Sequence, residues 1–123
     1  REGSAWDLRN DKTSPKKISS YLESYNFLKI GFFNETLPKW IKEHDNEDVS
    51  FIHYDAGDYD AAYFVLKNIL PKMKKNGIIV FDEFIPSPTE LEMSEYKAFT
   101  DACQFDYEII SRANSSVGIK ILK

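Results

Sequence analysis

Two stretches decide the fold: Val49-Ser-Phe-Ile-His-Tyr-Asp55 and Gly77-Ile-Ile-Val-Phe-Asp-Glu83. Each is an apolar run of strand length that ends in acid. Runs this uniformly apolar suit strands buried on both faces of a parallel sheet. Between them lies the clearest helical pattern in the chain. Ala61, Val65, Ile69 and Met73 form one i+4 row, and Ala62, Leu66 and Leu70 form the row beside it. Lys72, Lys74 and Lys75 put positive charge in the last turn, where it suits the helix dipole, and Asn76-Gly77 ends the helix. Strand, helix, strand in this order is a parallel crossover unit.

Working outward, residues 1–14 are polar and aperiodic, and are expected to form a loosely ordered arm before a single domain over 15–123. Ser14-Pro15 reads as a helix entry, with Ile18, Tyr21, Leu22 and Tyr25 on one face. Residues 27–30 read as a short strand that Gly31 ends. Thr36 is placed to cap a helix bearing Leu37, Trp40 and Ile41, with Pro38 in its first turn. After residue 83, a loop containing Pro86 and Pro88 leads to a helix carrying Met93, Tyr96, Phe99 and Cys103. Two further strands, 105–111 and 117–122, are joined through Asn114-Ser115-Ser116. That connection is too short for a crossover, so they pair antiparallel. The expected fold is α/β: a doubly wound sheet, mainly parallel, with an antiparallel C-terminal hairpin.

Composition narrows the function. A chain of 123 residues, 42% hydrophobic and 15% aromatic, fits one domain with ample core material. A net charge of −4 offers no general attraction to phosphate backbones, so no nucleic-acid partner is expected. No apolar run approaches the roughly 20 residues that span a bilayer, so no membrane partner is expected either. Cys103 is the single cysteine and can form no internal disulfide, which makes a reducing, cytoplasmic setting the default.

In an open parallel sheet, ligands bind beyond the carboxyl ends of the strands. Here Asp55 follows one strand, with Asp58 close by, and Asp82-Glu83 follows the other. Neighbouring strand ends lie about 5 Å apart, so these acids converge on one rim. Like charges that close repel, and a hard divalent cation such as Mg²⁺ would offset them. The plainer alternative is capping: Asp58 precedes a helix that starts at Tyr59.

At this point a family resemblance emerges. Gly31-Phe-Phe-Asn-Glu-Thr-Leu-Pro38, Val49-Ser-Phe-Ile-His-Tyr-Asp55, Tyr59-Asp60, Leu70-Pro71 and Gly77-Ile-Ile-Val-Phe-Asp-Glu-Phe84 resemble the second half of S-adenosylmethionine-dependent methyltransferases. The pattern is most similar to the macrocin O-methyltransferase family, and Glu95-Tyr-Lys-Ala-Phe99 and Val117-Gly-Ile-Lys-Ile121 resemble its last helix and strand. The resemblance implies a partial Rossmann-like sheet. It implies Mg²⁺ on Asp55, Asp82 and Glu83, the adenine side of S-adenosylmethionine at Gly31, Phe32 and Phe33, and a small-molecule hydroxyl as acceptor. The family's candidate base falls on Gly57 in an ungapped match. Asp58 takes that place if the loop shifts by one residue, and His53 is the second catalytic candidate. With five glycines and no G-x-G after an apolar strand, the glycine-rich cofactor half is missing. The chain is therefore expected to be the carboxyl half of such an enzyme and inactive by itself.

Other residues have plainer readings. His53 sits in a buried-strand pattern, where a hydrogen-bonded core histidine is the usual outcome. His44 reads as a surface residue, Cys103 and Trp40 as packing, and Lys72, Lys74 and Lys75 as a solvated helix end. The Pro86–Leu91 loop occupies the position of a substrate lid. One rival function is a non-catalytic interaction or dimerisation module derived from such an enzyme. Another is a receiver-like phosphoacceptor domain, which needs a lysine after a later strand, whereas Lys120 and Lys123 fall in the hairpin. Without the two missing strands, 49–54 exposes an edge that 27–30 closes by pairing, with homodimer formation as an addition. Calorimetry with S-adenosylmethionine should show no micromolar binding to the 123-residue chain, because most of the cofactor's shell is missing.

Overall fold

The computed structural model describes residues 29–56 and 58–123; the expected arm, the helix from Ser14 and the first half of the expected strand at 27–30 lie outside them. The chain divides into two compact units, Arg1–Phe32 and Phe33–Lys123, and every helix and strand described belongs to the second. It runs α1 (Phe33–Glu43), β1 (Val49–Tyr54), α2 (Tyr59–Ile69), a 3₁₀ turn (Leu70–Lys72), β2 (Met73–Phe81), a 3₁₀ segment (Pro88–Met93), α3 (Glu95–Ala102), β3 (Tyr107–Ala113) and β4 (Ser116–Ile121). The fold is mixed α/β, and the described residues form an open four-stranded sheet in the order β1-β2-β4-β3.

The central pairing is parallel, with Phe51, Ile52, His53 and Tyr54 opposite Ile78, Ile79, Val80 and Phe81. β4 lies antiparallel on the far side of β2, and β3 antiparallel beside β4. The hairpin closes tightly because Ala113 pairs with Ser116, and Asn114 takes a φ of 56° in the turn. Asparagine tolerates this left-handed conformation better than most residues.

The period of two along the strands selects a single core face. Ile79 and Phe81 of β2 and Val117, Ile119 and Ile121 of β4 are buried there, under Ala62, Leu66 and Ile69 of α2 and Ala98 and Phe99 of α3. Leu37, Trp40 and Ile41 of α1 pack at the margin of this core. Phe81 is its aromatic hub, with ring centroids 5.0 Å from Phe84, 5.6 Å from Phe99 and 5.9 Å from Tyr54. α2 and α3 are also tied outside the core, where the Tyr59 hydroxyl donates to Asp101 Oδ2 at 2.7 Å.

Several local expectations change. The central helix stops at Ile69 rather than running to Lys75, and Leu70 N–H makes its last bond, to Leu66 O. Pro71 has no N–H for the next bond, and its ring does not fit a continued helix. Met73 therefore leaves the helical row and starts β2, where it pairs with Val49. Between that pair and Phe51–Ile78 the register breaks, and Asn76 adopts a φ of 67° in the irregular stretch. Lys72 is not simply solvated, since its ammonium donates to His44 O at 2.9 Å. His44 is half-buried, stacked on Trp40 at 4.5 Å. Helix α1 begins at Phe33 instead of after Thr36, so Pro38 lies inside it. Met93 belongs to the 3₁₀ segment and is exposed, because Ser94 caps α3 by accepting from Lys97 N–H.

β1 is not buried on both faces. Phe51 is 59% exposed and His53 is exposed, so the core-histidine reading fails. The cause is position: β1 is the edge strand, and among the described residues no strand pairs with its outer side. Lys29 and Ile30, the described part of the expected edge strand, lie outside any strand, so the expected local closure is not formed by them. Phe81→Ala should cost about 3–5 kcal/mol, the range for a fully buried aromatic side chain. Urea unfolding with an unchanged slope is the measurement that checks it.

Candidate metal centre and adjoining cavity

The acids meet because the strand ends do. Tyr54 and Phe81 are the last partners of the parallel ladder, and Asp82 N–H continues it by donating to Tyr54 O at 3.1 Å. Asp55 therefore leaves β1 beside Asp82 and Glu83 leaving β2. One carboxylate oxygen from each of Asp55, Asp82 and Glu83 lies within 4.8 Å of the others. A cation with oxygen ligands at about 2.0–2.6 Å has opposite ligands about 4–5 Å apart, so the spacing fits Mg²⁺ or Ca²⁺. Three oxygen donors and no nitrogen or sulfur also suit a hard ion.

The turn that carries Asp82 and Glu83 is held from behind. Asp82 O accepts the hydroxyl of Ser116 at 3.0 Å, and Ser115 O accepts Phe84 N–H at 2.9 Å and Ile85 N–H at 3.2 Å. Glu83 N–H donates to Glu95 Oε1 at 3.1 Å. Glu95 is only 2% exposed, and its Oε2 has no hydrogen-bond partner among the described residues. Burial pushes its carboxyl up from 4.5 to about 7; the Glu83 N–H bond opposes this, and the charges of Glu83, Asp55 and Asp82 reinforce it. The Tyr54 hydroxyl is a second buried group without a hydrogen-bond partner among the described residues. Burial raises its pKa most, followed by the negative charges of Glu95 and Asp58.

Beside the acids lies a cavity of about 550 Å³, lined by Asp58, Glu83, Glu90, Glu95 and the serines 87, 94 and 115, with Ile85, Pro86 and Met93. A second, apolar cleft of about 340 Å³ opens between Phe84, Ile85, Leu91, Tyr96 and Ile109. Pro86 borders both spaces. A third cleft, about 320 Å³, is bordered by Phe33, Leu37, His53 and Asp55.

Measured against the sequence expectations, the structure brings together Asp55, Asp82 and Glu83. Asp58 lines the large cavity and also caps α2, its Oδ1 accepting Ala61 N–H at 2.8 Å. Gly57 lies outside the described residues. His53 borders the third cleft and not the large cavity. Gly31 has a φ of 142°, Phe32 is 77% exposed and Phe33 is exposed at the start of α1. Sequence reasoning missed Glu95. A glutamate in the first turn of a helix ordinarily complements the helix dipole from the surface, and nothing in the pattern marks this one as buried.

A family profile described as a methyltransferase domain matches residues 4–84, more than half of the chain. The chain belongs to this methyltransferase family. Among solved structures, the methyltransferase domain is similar to the apo form of CalS11, a TDP-rhamnose 3′-O-methyltransferase of calicheamicin biosynthesis. The two are 21% identical with a TM-score of 0.62, over 76% of this chain and 41% of CalS11. It is also similar to the O-methyltransferase NovP, at 20% identity and a TM-score of 0.58, over 89% of this chain and 46% of NovP. The chain thus spans less than half the length of these structures, and the likeness establishes a shared fold. A search of curated proteins gives no match. Among the described residues, no helix is long and apolar enough to cross a membrane.

Glu95 makes stability depend on pH. The folded protein keeps the Glu95 proton up to about 7, whereas the unfolded chain releases it near 4.5. Between those values the folded state binds more protons, so its stability falls as pH rises through the window. In metal-free buffer, urea unfolding should show this fall in the parent chain and a weaker one in Glu95→Gln.

Proposed function

We propose that this domain serves an S-adenosylmethionine-dependent O-methyltransferase of the macrocin type, which methylates a hydroxyl of a small molecule. The observation that carries the proposal is the convergence of Asp55, Asp82 and Glu83 beside a polar cavity. These three carboxylates would hold Mg²⁺. A bound Mg²⁺ lowers the pKa of an acceptor hydroxyl and orients it.

The chain's own residues do the rest. The 550 Å³ cavity, with its serines and carboxylates, takes the hydroxyl-bearing acceptor. Asp58 keeps a second carboxylate oxygen beyond the one that caps α2, and this oxygen takes the acceptor's proton. S-adenosylmethionine would supply the methyl group, which the acceptor oxygen, its proton taken by Asp58, would receive with S-adenosylhomocysteine as the leaving group. His53 is a second candidate for the proton, from the neighbouring cleft. Gly31, Phe32 and Phe33 present a small residue and two exposed rings suited to the adenine side of the cofactor. Holding the two reactants in line supplies most of the rate gain in such a transfer.

The setting is cytoplasmic, and neither nucleic acid nor membrane is a partner, in keeping with the net charge of −4. A homodimer through the outer edge of β1 would cover Phe51. The non-catalytic reading, an interaction module, draws on the same edge and on β3, which is exposed along its whole length.

The test uses the full-length protein with S-adenosylmethionine and a panel of small hydroxyl-bearing acceptors, and reads S-adenosylhomocysteine formation. EDTA should abolish turnover and Mg²⁺ restore it, and Asp82→Asn should remove the Mg²⁺-dependent part. Unchanged turnover in Asp82→Asn would take the acid rim out of the mechanism.

A further inference from the structure

We infer that Glu95 is a positioning residue for the cation site, its buried carboxyl holding Glu83 in place through the Glu83 N–H. The inference rests on the proposed metal role of Asp55, Asp82 and Glu83, and adds a residue from a separate element behind them.

The geometry leads from the core to the site. Phe99, fully buried, packs against Phe81 and Phe84 and sets the register of α3. Ser94 fixes the start of that helix twice over, as its Oγ accepts Lys97 N–H at 3.0 Å and donates to Leu91 O at 2.6 Å. Glu95 follows the cap, and its Oε1 reaches the main chain of Glu83 at 3.1 Å. Glu83 lies just beyond the end of β2, in a turn whose neighbouring groups are held by Ser115 and Ser116. The Glu95 bond holds the main chain at the ligand itself.

A carboxyl is a costly choice for this place. Glu95 is 2% exposed and faces the like charges of Glu83, Asp55 and Asp82, and among the described residues its Oε2 has no hydrogen-bond partner. A buried carboxyl with one idle oxygen destabilises the fold, and an apolar residue of similar volume is often neutral or better for stability. A residue kept for packing alone would therefore be apolar. What the carboxyl adds is an acceptor for Glu83 N–H, the kind of outer hydrogen bond that orients metal ligands.

The experiment is Mg²⁺ titration calorimetry on the 123-residue chain, with thermal midpoints measured in parallel. Glu95→Gln keeps the accepting oxygen and should keep Mg²⁺ affinity to within about threefold, while Glu95→Met should weaken it by about 10–100-fold. The Glu95→Met midpoint should match or exceed the parent's, which a purely structural role does not allow. Should Glu95→Met fail to fold, Glu95→Asp decides, because it keeps the charge but falls short of Glu83 N–H and should weaken binding. Parent-like affinity in folded Glu95→Met or in Glu95→Asp, or a loss in Glu95→Gln as large as in Glu95→Met, would overturn the inference. A parent chain that binds no Mg²⁺ would overturn the metal reading beneath it, a result distinguishable from the others.

Discussion

The turn from Asp82 to Ile85 is the constraint on which the candidate site depends, and its strength comes from being held on three sides. β1 holds it through Asp82 N–H and Tyr54 O, the hairpin holds it through Ser115 and Ser116, and α3 holds it through Glu95. A loop between a strand and a helix would otherwise sample many conformations, and loops are where local opening is cheapest. Here each tether originates in a different element of the same sheet-and-helix core. Loosening the turn would require breaking bonds to three separate parts of the fold.

Phe81 and Phe99 make that convergence possible. Phe81 lies one residue before Asp82, and its ring is enclosed by Tyr54, Phe84 and Phe99. The aromatic cluster thus fixes the end of β2, the start of the turn and the register of α3 together. Burial of such rings stabilises by more than an aliphatic core of equal count, since each removes a large area from water. Glu95 is the point where this apolar core and the polar rim meet, and its raised pKa records the conflict between the two environments.

The same chain exposes apolar surface away from that rim. β1 ends the sheet with Phe51 uncovered, and Ile109 of β3 is exposed at the opposite edge. Only one face of the sheet carries the packed core of α2 and α3, which leaves Ile78 and Val80 half-buried on the other. The asymmetry follows from which strands have neighbours among the described residues, and not from the side chains, which are apolar enough for burial on both faces.

Some of this was legible in the residues alone. Apolar runs ending at Asp55 and at Asp82-Glu83, separated by one helix, determine a parallel pair and therefore a shared acidic rim, because a right-handed crossover returns the chain in the same direction. The closing hairpin followed from a connection too short for anything else. What the sequence could not show depends on neighbours distant along the chain. Helical periodicity continued through Met73, but Pro71 removed the N–H that the next turn required, and pairing with Val49 made Met73 a strand residue. His53 matched a core pattern, yet the sheet order placed it on an edge strand, exposed. Glu95 matched a surface pattern, yet Ser94's cap and Phe99's burial turned it inward beneath Glu83. Local pattern determined which elements form and where their acids lie. Burial, and with it the protonation of Glu95, was decided only when the helix packed on the strand ends, because solvent exclusion belongs to the assembled fold and not to any one segment.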